Sequence, residues 1–239
     1  MPSEALQAIV LRYANYRDHD RMLTLLSPEK GRVDVLARGC RRPKSPLLPA
    51  AELFVHGEFM VFGSQSRYTL DSCSLGDTFY PLRLDAYRLT CGMYLLELCQ
   101  AAAQPDQPAQ ALFALLLEAL YHLTYCPEEK ALSVTSQFLL RYAALLGYRP
   151  RLNHCVRCRE RLDPAKDAAM DIEGGGLCCP RCAPRGAMRV AAADVAWMRV
   201  LLRGGEWDAK SDASGLFPLL RRYVEFRLET TLKAGDFLP

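Results

Sequence analysis

The sequence predicts an α+β, multidomain protein: a small β-barrel first, then an α-helical domain carrying an inserted four-cysteine zinc module. Three observations predict it. The first eighty residues hold five short β-rich stretches with no long helix between them. After Pro81 the apolar spacing changes from two residues to three and four. Late in the chain, two C-x2-C pairs stand twenty residues apart. The expected domains are 1–80 and 81–239, with the zinc module at about 151–189.

The β-rich stretches are 5–13, 21–26, 32–37, 53–62 and 67–73. Arg32-Val33-Asp34-Val35-Leu36-Ala37 alternates polar and apolar, as a half-buried strand does. In 53–62 the residues Leu53, Val55, Phe59 and Val61 share one face. Five short strands fit a closed barrel of the oligonucleotide-binding (OB) type best, with an SH3-like barrel as the alternative.

Between the third and fourth stretches, Arg38, Arg41, Arg42 and Lys44 lie in a segment with no acidic residue from Val35 to Ala51. Gly39, Pro43, Pro46 and Pro49 disfavour regular structure, so these charges belong on an exposed loop. Beside a barrel, such a loop can grip phosphates; otherwise it is a solvated loop with incidental charge. Tyr13, Tyr16, Phe54, Phe62 and Tyr68 are the aromatics available for base stacking, although a small barrel needs Phe54 or Phe62 in its core.

Leu84, Tyr87, Cys91, Leu95 and Leu98 recur at helical spacing, with further apolar residues on the other faces, which predicts a helix buried nearly all round. Gln104 to Pro108 ends it. A second helix runs over 112–125, and Ala131, Val134, Phe138, Tyr142 and Leu145 line a third. Two more follow the cysteines, over 191–203 and 216–233.

Cys155, Cys158, Cys179 and Cys182 form the two C-x2-C turns. Each turn puts two thiolates on one side of a knuckle, and four sulfurs suit tetrahedral Zn2+. Four protein ligands leave no open position, so the expected ion is one structural zinc. Arg157, Arg159, Arg161, Arg181 and Arg185 can offset the negative zinc–thiolate cluster. A redox dithiol, a disulfide pair or accidental clustering is the alternative, and His154 or Cys178 could substitute only by breaking the two-residue spacing. Cys40, Cys73, Cys91, Cys99 and Cys126 are scattered among apolar residues, as buried thiols in a reducing cytosol would be.

The net charge of +3 is uneven, with residues 149–189 at +4. Half of the residues are hydrophobic, enough for a sizeable core, and no apolar run is long enough to span a bilayer. No secretory signal opens the chain, so a cytoplasmic location is expected. Basic residues are mostly Arg, compatible with phosphate binding and equally with a GC-rich coding bias. There is no Gly-rich phosphate loop and no G-x-S-x-G elbow. His19, His56, His122 and His154 are isolated, and the carboxylates do not cluster as two-metal nuclease ligands would. These absences count against an enzyme.

A β-barrel N-terminus, the Lys30-Gly31 turn, the Ala37-Arg38-Gly39-Cys40-Arg41-Arg42-Pro43-Lys44-Ser45 loop, a helical middle and the late cysteine pairs resemble the RecO family of bacterial DNA repair proteins. The resemblance covers essentially the whole chain in the same order. It implies an OB-fold domain, a helical domain, and a recombination mediator without a catalytic centre. Such proteins bind single- and double-stranded DNA, anneal complementary strands, and work with RecR to load the RecA recombinase onto DNA coated by single-strand binding protein. Some members hold the acidic tail of single-strand binding protein in their helical domain, and some lack the zinc cysteines. The resemblance maps the DNA-binding region onto Arg38, Arg41, Arg42 and Lys44, with Lys30 and Arg32 as weaker candidates. It also implies a nucleoid-associated location. The competing readings are a zinc-containing OB-fold protein that binds RNA or the ribosome, and a metal-dependent nuclease.

Overall fold

In the computed structural model, residues 3–63, 68–207 and 212–239 are described. The chain divides into two compact units, Met1–Thr124 and Tyr125–Pro239.

The first unit is built on five strands: β1 (Ser3–Tyr16), β2 (Asp20–Ser27), β3 (Gly31–Ala37), β4 (His56–Phe62) and β5 (Tyr68–Leu75). They close in the order β1-β2-β3-β5-β4. Closure depends on the length of β1. Its first half pairs with β4 from Ser3↔Phe62 to Ile9↔His56, and its second half pairs with β2 from Ile9↔Leu26 onward. A register shift between Val10 and Arg12 bends it from one partner to the other. The parallel pairing of β3 with β5, Val35↔Tyr68 and Leu36↔Thr69, seals the opposite seam. This is the five-stranded closed barrel expected from the alternation, OB-like in topology.

Leu6, Ala8, Val10, Leu23, Leu25, Val33, Val35, Phe59 and Val61 fill the barrel. The alternation is clean in β3 and β4, where buried residues occupy every second position. It fails in β1, where Ala8, Ile9, Val10 and Leu11 are all buried, because helices cover part of the outer surface. Those helices are α1 (Ala86–Ala102), which packs on β1, and α2 (Gln110–Tyr125), whose Phe113 ring meets His56 of β4 edge-on at 5.8 Å. Asp85 caps α1 by accepting from the Arg88 N–H at 2.8 Å. Phe54 is fully buried against α1 at Gly92, where a Cβ would come within 2.9 Å of its ring. Burying such a ring contributes about 1.5–3 kcal/mol.

Several expected boundaries shift. The fourth strand begins at His56 rather than 53, because Phe54 adopts φ 71° and turns the chain. The predicted fifth stretch opens at Arg67, which lies outside the described residues; the strand is described from Tyr68. Leu84 precedes α1 and is 70 % exposed, and Met93 is also exposed, so α1 is buried mainly from Cys91 to Cys99 rather than all round.

The second unit centres on α3 (Ala131–Leu145), in which every residue from Ala131 to Leu140 is buried. α4 (Ala192–Leu202) and α5 (Phe217–Leu228) pack against it. The last helix stops at Leu228 instead of 233, since Glu229 takes φ 51°. Between α3 and α4 lies a three-stranded sheet not foreseen from the sequence: β6 (Ala168–Asp171), β7 (Gly176–Cys178) and β8 (Met188–Val190), in the order β7-β6-β8.

Candidate nucleic-acid interface and metal centre

The basic loop leaves β3 at Ala37 as a succession of tight turns. The N–H groups of Arg42, Ser45, Leu48 and Ala51 donate to the carbonyls of Gly39, Arg42, Ser45 and Leu48. Pro49–Ala51 forms one turn of 3-10 helix. The prolines thus shape an ordered path. Cys40, Ala50 and Ala51 are buried in the barrel cluster and Leu47 packs against it, which anchors the loop from within. Arg21 adds an outer tie, bonding the Ala51 carbonyl and the Glu52 carboxylate, each at 2.7 Å.

With the apolar positions turned inward, Arg38, Arg41, Arg42 and Lys44 are all exposed. Arg41 donates to the Asp18 carbonyl at 3.3 Å, and its backbone N–H donates to the His19 carbonyl at 2.9 Å. Neither partner is a carboxylate. Among the described residues, none of the four has an ion pair. The loop therefore presents four uncompensated cations on a fixed path. The two weaker candidates differ. Lys30 is paired with Glu4 at 2.6 Å and bonded to the Tyr68 hydroxyl at 3.0 Å; the Glu4 bond outweighs burial and raises its pKa. Arg32 is half-buried on β3, with its backbone N–H bonded to the Gln104 carbonyl.

The aromatic candidates also separate. Phe54 is buried, but against α1 and outside the barrel cluster, so neither Phe54 nor Phe62 fills the barrel as expected; Tyr68 is buried within that cluster. The Arg21 guanidinium lies 3.9 Å from the Tyr13 ring centroid and occupies that face. Phe62 is half-buried. Tyr16, the last residue of β1, is 42 % exposed beside Arg17, and the connection to β2 that follows contacts the basic loop where the Asp18 carbonyl accepts from Arg41. Arg17 was not singled out by sequence; its nearness to the loop arises from pairing across the barrel, with no local signal.

In the second unit, the sulfurs of Cys155, Cys158, Cys179 and Cys182 all lie within 4.8 Å of one another. Cys158 and Cys179 are 3.9 Å apart, close to the roughly 3.8 Å that a tetrahedron with Zn–S of about 2.3 Å requires. That separation is far beyond a disulfide bond of about 2.05 Å. The first knuckle is closed by the Arg159 N–H bonding the Cys155 carbonyl at 2.9 Å, with Arg159 at φ 63°. The second is closed by Cys182 N–H to the Cys179 carbonyl at 2.9 Å. The sheet brings the knuckles together: Val156 N–H donates to the Leu177 carbonyl, and Gly176 runs so close to Arg151 that a Cβ would sit 2.4 Å from its carbonyl oxygen.

Burial raises the Cys155 thiol, but backbone N–H groups of Cys158, Cys179 and Arg157 outweigh it and bring the group down to about 6. Cys182 is pushed up to about 12, chiefly by the facing Cys179 and Cys158 sulfurs. Protons are thus shared unevenly over one cluster, and the donor set fits a thiophilic ion such as Zn2+. Cys178 points away, bonding the Ala169 carbonyl, and its buried thiol is raised to about 11. His154 is exposed and outside the group. The surrounding arginines divide: Arg157 pairs with buried Asp171 at 2.7 Å and Arg181 with Glu160, whereas Arg159, Arg161 and Arg185 have no ion pair among the described residues. No helix among the described residues is long and apolar enough to cross a membrane.

Comparison with known proteins covers nearly the full length. Residues 1–79 match the family described as Recombination protein O N terminal, and residues 83–236 match Recombination protein O C terminal. The DNA repair protein RecO of Symbiobacterium thermophilum is 32 % identical, over 98 % of this chain and 95 % of the relative. The DNA repair protein RecO of Frankia casuarinae is 32 % identical, over 100 % and 99 %. The DNA repair protein RecO of Acetivibrio thermocellus is 27 % identical, over 96 % and 94 %.

Proposed function

The chain belongs to the RecO family of DNA repair proteins, and from that premise we propose that it is a DNA-binding recombination mediator without a catalytic centre. It anneals complementary single strands and, with RecR, helps load RecA onto DNA coated by single-strand binding protein. The observation that carries this reading is the ordered loop with Arg38, Arg41, Arg42 and Lys44 exposed and unpaired at the barrel.

Two DNA strands repel each other, and a surface of fixed cations lowers that repulsion by displacing condensed counterions. Arginine forks add directional bonds to phosphate oxygens. Annealing makes and breaks no covalent bond, so nucleotide hydrolysis is not required. Lys30 is the weakest DNA contact of the six, because Glu4 already neutralises it; Arg32 ranks between it and the loop. We assign Cys155, Cys158, Cys179 and Cys182 to one structural Zn2+, which would hold the two knuckles together. The division at 1–80 and 81–239 is the proposed functional one, with DNA contacts led by the barrel and the helical domain available to protein partners.

The test is annealing of complementary oligonucleotides without ATP, with a parallel pull-down against RecR and single-strand binding protein. The expected results are pairing faster than the protein-free control, weakening steeply with salt, and capture of both partners. A rate equal to the control at low salt would reject the mediator reading.

A further inference from the structure

We infer that a second phosphate-binding site lies in the C-terminal unit, in a pocket of about 290 Å3 between the end of α4 and residues 149–154. Four arginines line it, Arg149 and Arg151 from that segment and Arg199 and Arg203 from the helix and its C-cap, together with Asn153 and His154. No carboxylate lines it. Among the described residues, none of the four arginines has an ion pair. Nearby arginines behave differently: Arg157, Arg181 and Arg189 are matched to Asp171, Glu160 and Asp167.

Three of the four are instead held by main-chain carbonyls. Arg149 donates to Leu202, Arg151 to Gly174 at 2.6 Å, and Arg199 to Leu152 at 2.6 and 3.2 Å. A carbonyl fixes a guanidinium but does not cancel its charge. Each guanidinium has five N–H donors, so most remain free for a ligand. Helix capping explains only part of the cluster. The C-terminus of a helix carries about half a negative charge, which cannot balance four cations in one concavity. Positioned, unneutralised forks are what a phosphate group accepts bidentately.

Phosphate could reach the pocket as a nucleic-acid backbone or as a free ion. The site is assigned to the backbone of a DNA strand, which rests on the DNA-binding reading above: a chain that holds DNA through the barrel loop gains further phosphate contacts from a site in its other unit. Arg203 and Arg151 are the residues to change, since both are exposed, the Arg203 side chain makes no hydrogen bond among the described residues, and Arg199 supports the backbone.

The experiment measures binding of a fluorescein-labelled oligothymidine to the full chain across a salt series. It compares wild type, the loop variant Arg41→Glu/Arg42→Glu, and the pocket variants Arg151→Gln/Arg203→Gln and Arg151→Lys/Arg203→Lys. The Gln pair should weaken binding on the order of tenfold at low salt and shrink the salt slope by about 1.4, that is about 0.7 per lost contact, while the Lys pair keeps most of the slope. Melting curves confirm folding; if the Gln pair fails to fold, Arg203→Gln alone carries the test with an expected slope change of about 0.7. Wild-type binding and a weakened loop variant, with pocket variants indistinguishable from wild type, would overturn this site and leave the DNA-binding reading standing. No binding by wild type would overturn both. Stabilisation of wild type by inorganic phosphate, alongside unchanged oligothymidine binding by the Gln pair, would reassign the pocket to a free ion and reject the DNA assignment.

Discussion

The barrel loop and the cysteine module are both rich in arginine, yet they use it differently. In the loop, Arg38, Arg41, Arg42 and Lys44 face solvent without a carboxylate partner, and shape comes from backbone turns and the buried Cys40 anchor. In the module, Arg157, Arg181 and Arg189 are matched to Asp171, Glu160 and Asp167, while Arg159, Arg161 and Arg185 have no ion pair among the described residues, and four clustered sulfurs supply the geometry. Similar net charge thus conceals two roles. Charge without a partner is available to a ligand, whereas charge with a partner holds the fold.

The largest expected effect breaks the module. Structural zinc sites carry apparent binding energies of roughly 10–16 kcal/mol, so Cys158→Ser or strong chelation should unfold residues 151–189. Limited proteolysis should then cut within that stretch while the barrel resists, and elemental analysis of the wild type should find one zinc per chain. The pH dependence has a definite sign. Zinc takes thiolates, and Cys182 lies at about 12 in the metal-free cluster, so binding releases protons and affinity weakens as pH falls. Competition with a chromophoric chelator at several pH values checks this.

Next comes the loop. Arg41→Glu/Arg42→Glu should reduce affinity for all DNA sequences alike, since phosphate contacts carry no sequence information. The module should keep its zinc and the protein its melting temperature. Loss of zinc in this variant would show that the two regions are not separable.

Asp171→Asn sharpens the comparison from the other side. Asp171 is buried, and although burial raises its pKa, the Gly174 N–H and Arg157 hold it below the ordinary carboxylate value. A depressed carboxylate stabilises the fold above its unfolded-state pKa, and that contribution is lost as pH falls through the folded one. The substitution should cost about 1–3 kcal/mol near neutral pH, with a smaller difference in acid. Thermal melts at two pH values measure it, and DNA affinity should hardly change.

The smallest effect belongs to Lys30→Gln. Its charge is already matched by Glu4, so DNA binding should fall far less than for either loop arginine, and stability by no more than about 1 kcal/mol. A loss equal to that of Arg42→Gln would place Lys30 in the interface.

How much of this was legible in the sequence depends on the range of the interaction. The alternation in β3 and the cysteine spacing are local patterns, and the structure follows them. The expected stripe of α3 does not hold: Ala131 to Leu140 are buried on every face because neighbouring helices surround them, and Leu145 is 40 % exposed. Exposure of the loop cations followed from prolines and the absence of acids. Lys30 looked like a loop cation because Glu4 lies 26 residues away and meets it only once β1 and β3 share a barrel. The strands β7 and β8 have three residues each, too few for a period-two pattern to register. The end of α5 at Glu229 is a backbone conformation that the apolar spacing did not signal.

The salt dependence of single-stranded DNA binding tests most directly whether the loop cations are the ones in contact with DNA. Wild type and folded Arg41→Glu/Arg42→Glu are compared by the slope of log K against log salt. The predicted result is a slope smaller by about 1.4 in the variant, corresponding to two lost phosphate contacts. Identical slopes and affinities would contradict it and return the loop to ordinary solvated surface.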